Sequence, residues 1–271
     1  TSFTLTNVDA TSASGNGFEA SAITGSSISV AGTSTLTGAT VGLHAATFAS
    51  SSLTVSFTTV SGGSAQGIYA LSFDGSSSLT VSDSTVSCTS AVGIQVENWV
   101  SAVGNAALSD LTISAAGHAA YFVGVAGITV AMTDVAATAT GASGAGVKLA
   151  SVSAGSSFTL TNVDAASTLN KGIEISGVSG SAISIGGTST IAGGSSGLHA
   201  YTFTSSSLTI GSLIVSDATV GSMSAQGVLV SSWSAAGGAA TFTDCVIGAG
   251  GNGMHFEALT GTTAALTNVV A

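Results

Sequence analysis

Apolar and polar residues alternate along most of the chain with a period of two, the mark of strands buried on one face. In the segment SFTLTN, Phe3 and Leu5 form the apolar side and Thr4 and Thr6 the polar side. In GFEASAI, Phe18 and Ala20 point one way and Glu19 the other, and a further apolar position follows at Ile23. The same pattern returns along the chain. It predicts inner columns such as Phe3, Ile28, Leu53 and Leu79, and a bulkier one of Ile23, Phe48, Phe73, Trp99, Val152, Val178, Phe203, Trp233 and Leu259.

The pattern is a repeat. SFTLTNVDA occurs at residues 2–10 and again at 157–165, and GLHAATF at 42–48 returns as GLHAYTF at 197–203, both 155 residues on. Inside this long repeat is a short one. A turn residue closes the first alternating strand at Asn7, Gly32, Phe57, Asp83, Asp110, Asp134, Asn162, Gly187, Ser212, Asp244 and Asn268. The spacings are 25, 25, 26, 27, 24, 28, 25, 25, 32 and 24, so six units make up the 155. The unit of 32 implies an inserted loop near Ile214–Ser222. A variable stretch follows each turn, then a Gly that opens the second strand, at Gly17, Gly42, Gly67, Gly93, Gly146, Gly172, Gly197, Gly227 and Gly253. The coil around Tyr121 lacks that Gly.

A unit of about 25 residues with two or three short strands cannot bury its own apolar side, but stacked units share a continuous core. Each strand then pairs in parallel with its counterpart about 4.8 Å away. The expected fold is an all-β, right-handed parallel β-helix of 10–11 coils, one domain over residues 1–271, with coils 1–6 (about 1–155) duplicated as 156–271. Gly, Asn and Asp suit the left-handed backbone of a tight bend, and stacked amides form ladders. Asn7, Asp83, Asp110, Asp134, Asn162, Asp244 and Asn268 are therefore read as a structural turn ladder; Phe57 has no explanation at this level. The chain contains no Pro, which suits a backbone committed to ladder hydrogen bonds.

Composition narrows the partners. Charged residues make up 5% of the chain and the net charge is −10, with Lys148 and Lys171 the only bases. Nucleic acid and anionic membranes require basic residues, so neither is expected as a partner. The longest apolar run, Ala119–Met132, is too short to span a bilayer. There is no leader-like segment and no initial Met, which suggests a processed or excised piece. Cys88 and Cys245 fall about six coils apart, too far to bond, and read as buried small residues or links to another chain. No Asn-x-Ser/Thr sequon occurs, which leaves O-glycans on the many hydroxyls as the expected modification.

With its turn residues and columns, the chain resembles the right-handed parallel β-helix superfamily of pectate lyases and autotransporter passenger domains. It also resembles the low-charge β-helical repeats of protist surface and mastigoneme proteins. The resemblance implies an extracellular or cell-surface location. Lyases of this fold combine acidic Ca²⁺ ligands with an Arg or Lys base; here Arg is absent and the two Lys lie on separate coils. Asp9 and Asp164 lie six coils apart, beyond the separation for glycoside hydrolysis. No enzymatic activity, metal or cofactor is expected.

Two outward surfaces remain. The second strand presents an exposed column with Glu19, His44, Tyr69, Gln95, Phe122, Lys148, Glu174, His199, Leu229 and His255. It reads as a duplicated Glu–His pair, or as a solvated ladder of compatible neighbours; two ligands are too few for zinc. His118 stands alone, as a structural residue. The first strand presents Thr4, Thr54, Thr80, Thr159, Thr209 and Thr241, flanked by Thr6, Ser56, Ser82, Thr161 and Thr243. This flat face suits lateral packing on another chain, O-glycans, or ice. The chain starts in a strand at Phe3 and stops in the equivalent strand at Leu266–Val269, without a capping helix. It is expected to be a segment of a longer repeat or filament, self-associating or bound to other fibre or surface proteins. The expected function is structural or adhesive, in a fibre, stalk or surface appendage. The alternatives are an ice-binding β-helix and a carbohydrate-binding or carbohydrate-active one.

Overall fold

The computed structural model describes residues 1–217 and 226–271. Among the described residues every helix or strand element is a strand, and all 25 strands belong to one sheet. A coil contributes three strands, here called A, B and C. In the first three coils A is Ser2–Thr6, Ser27–Ala31 and Ser52–Ser56; B is Asp9–Ser12, Ser34–Gly38 and Thr58–Gly62; C is Phe18–Thr24, Leu43–Ala49 and Gln66–Asp74. Further on, A and B merge across the bend, as in Ser78–Cys88 and Ser157–Ser167. Pairing is parallel and joins like to like: Phe3 lies beside Ile28, Ile28 beside Leu53, and Leu53 beside Leu79. The fold is a parallel β-solenoid of about ten turns.

The B strand fills what the sequence offers as a variable stretch. Its inward column runs Ala10, Leu36, Val60, Val86, Ile113, Ala137, Ala165, Ile191 and Val215. Small residues and glycines on either side blur the alternation. The inward columns of A, B and C form one core, in which the Phe48 and Phe73 rings stack at 4.7 Å and Phe203 and Trp233 at 4.4 Å. Both Trp are core residues, as expected. Each buried Leu, Ile or Phe contributes about 1.5–3 kcal/mol.

All eleven turn residues between A and B have positive φ, from Asp83 at 49° to Gly187 at 74°, with Phe57 at 51° among them. The amide ladder is only partial. Asn162 Nδ2 donates to Asp134 Oδ1 at 2.9 Å and Asn268 Nδ2 to Asp244 Oδ1 at 2.9 Å. Asp83, Asp110 and Asp134 have no N–H to pass on. Asn7 and Asn162 instead accept the backbone N–H of Thr33 at 3.1 Å and Thr188 at 2.9 Å. A second left-handed bend, within or just after C, went unforeseen: Ala22, Thr47, Ser72, Asn98, Ser151 and Thr202 all have positive φ there.

Buried hydroxyls staple the corners. Ser51 Oγ donates to Ala49 O at 2.8 Å and accepts Ser26 N–H at 3.2 Å; Ser77 Oγ donates to Asp74 O at 2.6 Å and accepts Ser51 N–H at 3.3 Å. Ser156 and Ser206 repeat the motif. Each hydroxyl satisfies a corner amide that the ladder leaves over. The bend after the A strand has its own hydroxyls, Ser34, Thr58, Ser84 and Ser189, and Cys245 takes that place in its coil. Cys88 likewise stands in one column with Ser12 and Ser167. Both cysteines are free and buried.

The Gly before each C strand is explained by close approach. A Cβ on Gly67 would lie 2.6 Å from Val86 Cγ1 and 2.7 Å from Gly93 O. In the coil without it, Ala119 fills the position. Of the expected insertion, Ile214–Asp217 pairs as a strand, and the remainder lies outside the described residues.

Candidate functional site

The three outward faces differ sharply. Face A carries Ser, Thr, Ala and Gly, face B adds Asp9, Asp164 and the exposed Ile214 and Val246, and further Asp and Asn stand at the turns between them. Face C and its leading edge carry every Glu, His, Tyr, Lys and Gln of the chain.

The central column of face C runs Glu19, His44, Tyr69, Gln95, Tyr121, Lys148, Glu174, His199, Leu229 and His255. Tyr121, not Phe122, belongs to it; Phe122 points into the core. The missing Gly in that coil shifts the apparent phase by one residue. Nor is the column simply exposed. Glu19 is exposed, His44, Tyr69, His199 and His255 are half-buried, and Glu174 is only 5% exposed. Neighbours above, below and beside each side chain cover it.

Two polar networks lie on this face. In the first, Tyr69 Oη donates to Glu97 Oε2 at 2.8 Å, Gln95 Nε2 to the same oxygen at 2.8 Å, and Gln66 Nε2 to Gln95 Oε1 at 3.0 Å. Burial and the Glu97 carboxylate push the Tyr69 hydroxyl up to about 12. The second gathers both lysines on one carboxylate: Lys148 Nζ lies 3.4 Å and Lys171 Nζ 3.9 Å from Glu174, and Tyr201 Oη donates to it at 2.9 Å. Burial alone would raise the Glu174 carboxyl, but the Tyr201 hydrogen bond and the two ammonium groups hold it below its usual range.

Aromatic rings flank the networks. His44 stacks on Tyr69 at 5.3 Å and 12°, His118 meets Tyr121 at 5.0 Å, and His199 meets Tyr201 at 4.6 Å. Lys148 Nζ sits 5.6 Å from the centroid of the Tyr121 ring. His118 therefore does not stand alone. Its Nδ1 accepts the Ala145 N–H at 2.9 Å, and burial followed by Lys148 lowers its pKa to about 4, so it is neutral at pH 7. The paired halves of the duplication differ: Glu19 and His44 are 3.8 Å apart, whereas Glu174 turns to lysines and Tyr201. His118, Lys171, Glu97 and Tyr201 were not grouped with the column by sequence reasoning, because they sit two or three residues to either side of it.

On face A, Thr4, Ser29, Thr54, Thr80, Ala107, Ala131, Thr159, Ser184, Thr209, Thr241 and Ala265 form one registered column. Thr6, Ser56, Ser82, Thr161 and Thr243 lie on the column beside it. Ala107 and Ala131 break the first array at its centre. Face B holds a shorter array that the sequence reading passed over, Thr35, Thr59, Thr85 and Thr112 in consecutive coils.

No protein-family model matches the chain, and no curated protein matches it. Among solved structures it is similar to the A-module of mannuronan C-5 epimerase AlgE4 from Azotobacter vinelandii, with TM-score 0.42 and 10% identity over 100% of this chain and 87% of that one. It is also similar to the A-module of mannuronan C-5 epimerase AlgE6 from the same organism, with TM-score 0.34 and 9% identity over 100% of this chain and 90% of that one. The likeness is one of fold alone.

Proposed function

We propose that the chain is a non-catalytic structural and adhesive rod of an extracellular fibre, stalk or surface appendage. Faces A and B pack against other copies and face C recognises a partner. The observation that carries this reading is the segregation of every Glu, His, Tyr, Lys and Gln onto face C. A solenoid needs no such segregation for stability, since faces A and B hold together without those residue types. The flat, uncharged array of small residues on face A suits close lateral packing. The interruptions at Ala107 and Ala131 favour packing over an ice lattice, which asks for a regular array. Tyr201 and both lysines hold the Glu174 carboxyl below its usual range, which disfavours it as a proton donor.

Association along the solenoid axis belongs to the same reading, since parallel strands can continue one ladder from copy to copy. The test is sedimentation velocity over a concentration series, for the chain and for Thr54→Lys/Thr209→Lys. The chain is expected to associate with rising concentration and the doubly charged variant to remain single. A chain that stays single at every concentration contradicts the assembly reading.

A further inference from the structure

A main-chain N–H can only donate, so a side chain that receives one must be an acceptor. His118 is such a side chain. Its Nδ1 accepts the Ala145 N–H at 2.9 Å, from its own coil to the next. In other coils a carbonyl of the ladder takes the amide at that place, Ala65 O from Val92 at 3.1 Å and Ser195 O from Gln226 at 3.2 Å. One corner of the solenoid is thus closed through a group that titrates. We propose that His118 is an acid-released latch: a proton on Nδ1 frees the corner 141–145 and loosens the middle of face C. Its bearing on recognition rests on face C being the adhesive surface.

The geometry makes this bond all-or-nothing. A protonated Nδ1 sets its N–H against the Ala145 N–H. The peptide group cannot turn its donor away while its neighbours stay paired, and Ala145 O accepts the Ala119 N–H at 3.0 Å. Ala145 is fully buried, so its amide has no water to turn to. The other two histidines bonded through a ring nitrogen avoid this conflict. His44 meets Asn16 Nδ2 at 3.5 Å and His255 meets Gln226 Nε2 at 2.9 Å, and a side-chain amide can reverse to present its oxygen.

The surroundings set the pH at which the latch yields. Lys148 stands on the C strand Val147–Ser153 of the next coil, and Lys171 and Glu174 on Lys171–Ser179 of the one beyond. On the preceding coil Gln95 lies beside Tyr121 and Glu97 beside Val123. Asp110 and Asp134 stand at the bends between A and B, within Asn105–Ala115 and Thr129–Ala139. The Tyr121 ring lies 5.0 Å from the His118 ring. Burial and then Lys148 lower the His118 pKa to about 4, with Glu174 acting the other way. An open corner returns the ring to its ordinary 6.5. Closure is therefore fully favoured above pH 6.5 and weakens about tenfold per unit down to about 4, roughly 300-fold in all. The corner leads straight into the strand of Lys148, and Gly146 N–H donates to Lys171 O at 3.3 Å. Opening it slackens the Lys148–Glu174–Lys171 cluster.

The test is hydrogen exchange of the Ala145 amide, read by NMR on the 271-residue chain from pH 7 to pH 4 and divided by the intrinsic rate at each pH. Protection is expected to hold down to pH 6.5 and then to fall about tenfold per unit. The Val92 amide, bonded to a carbonyl, should keep its protection. His118→Asn, whose Oδ1 accepts without titrating, should make the Ala145 profile flat at whatever level it sets. Free exchange of Ala145 at pH 7, an equal fall at Val92, or a fall of the same slope in His118→Asn overturns the proposal. The free chain is measured, so a latch that fails leaves the adhesive rod standing. A chain that never associates removes the rod and leaves the latch.

Discussion

Phe57 is the residue at which the backbone demand and the side chain disagree most. Its φ is +51° and its ring is 61% exposed, at a corner that Gly, Asn or Asp fills in nine of the ten other coils. A bulky residue in the left-handed region costs about 1–2 kcal/mol. The solenoid imposes the conformation regardless, because the coils on both sides fix the chain path; Ser212, its counterpart in the second half, has φ 52°. Phe57→Asn should therefore stabilise the chain by about 1 kcal/mol. The measurement is the urea midpoint at constant slope. A lower midpoint would mean that the exposed ring makes a contact worth more than the strain.

At the scale of strands and corners, much of the fold was legible. The A and C strands announce themselves by alternation, and the turn column by Asn, Asp and Gly recurring about every 25 residues. The B strand was not legible as a strand, since Ala10, Ala137 and Ala165 share its inner column with Leu and Val and give little contrast. The second left-handed bend was hidden because Ala22, Thr47 and Thr202 occupy it, none of which signals that backbone. Corner serines look like any other serine among so many. On face C the column was legible except at Tyr121. Its networks were not, because they join side chains from up to three coils and from both flanks of the column.

Face C also sets the acid response. Neutral His118, with a folded pKa of about 4 against an unfolded 6.5, adds stability that is full above pH 6.5 and is lost as pH falls toward 4. Glu174, depressed in the fold, adds stability present above the unfolded carboxyl pKa of about 4.3 and lost as pH falls through its folded value. Burial also lowers the pKa of His199, which acts in the same direction as His118. Thermal melts from pH 7 to pH 4 should show a progressive loss. The His118 share is on the order of 1–2 kcal/mol once solvent screening of a half-buried ring is allowed for. His118→Asn should flatten the upper part of this window. A melting temperature constant between pH 6.5 and 4.5 would remove His118 as the cause.

For the whole molecule, ten coil steps at the strand spacing give a body about 48 Å long. Its core is continuous, its corners are closed by hydroxyls and its Glu, His, Tyr, Lys and Gln side chains lie on one side. These properties suit the proposed rod with a single adhesive face. The most direct test of that account is electron microscopy of the associated protein together with fibre diffraction. The account predicts filaments whose thickness is set by lateral contacts, with a reflection near 4.8 Å along the filament axis. Compact, monodisperse particles that never join, or filaments with the 4.8 Å spacing across the axis, would contradict it.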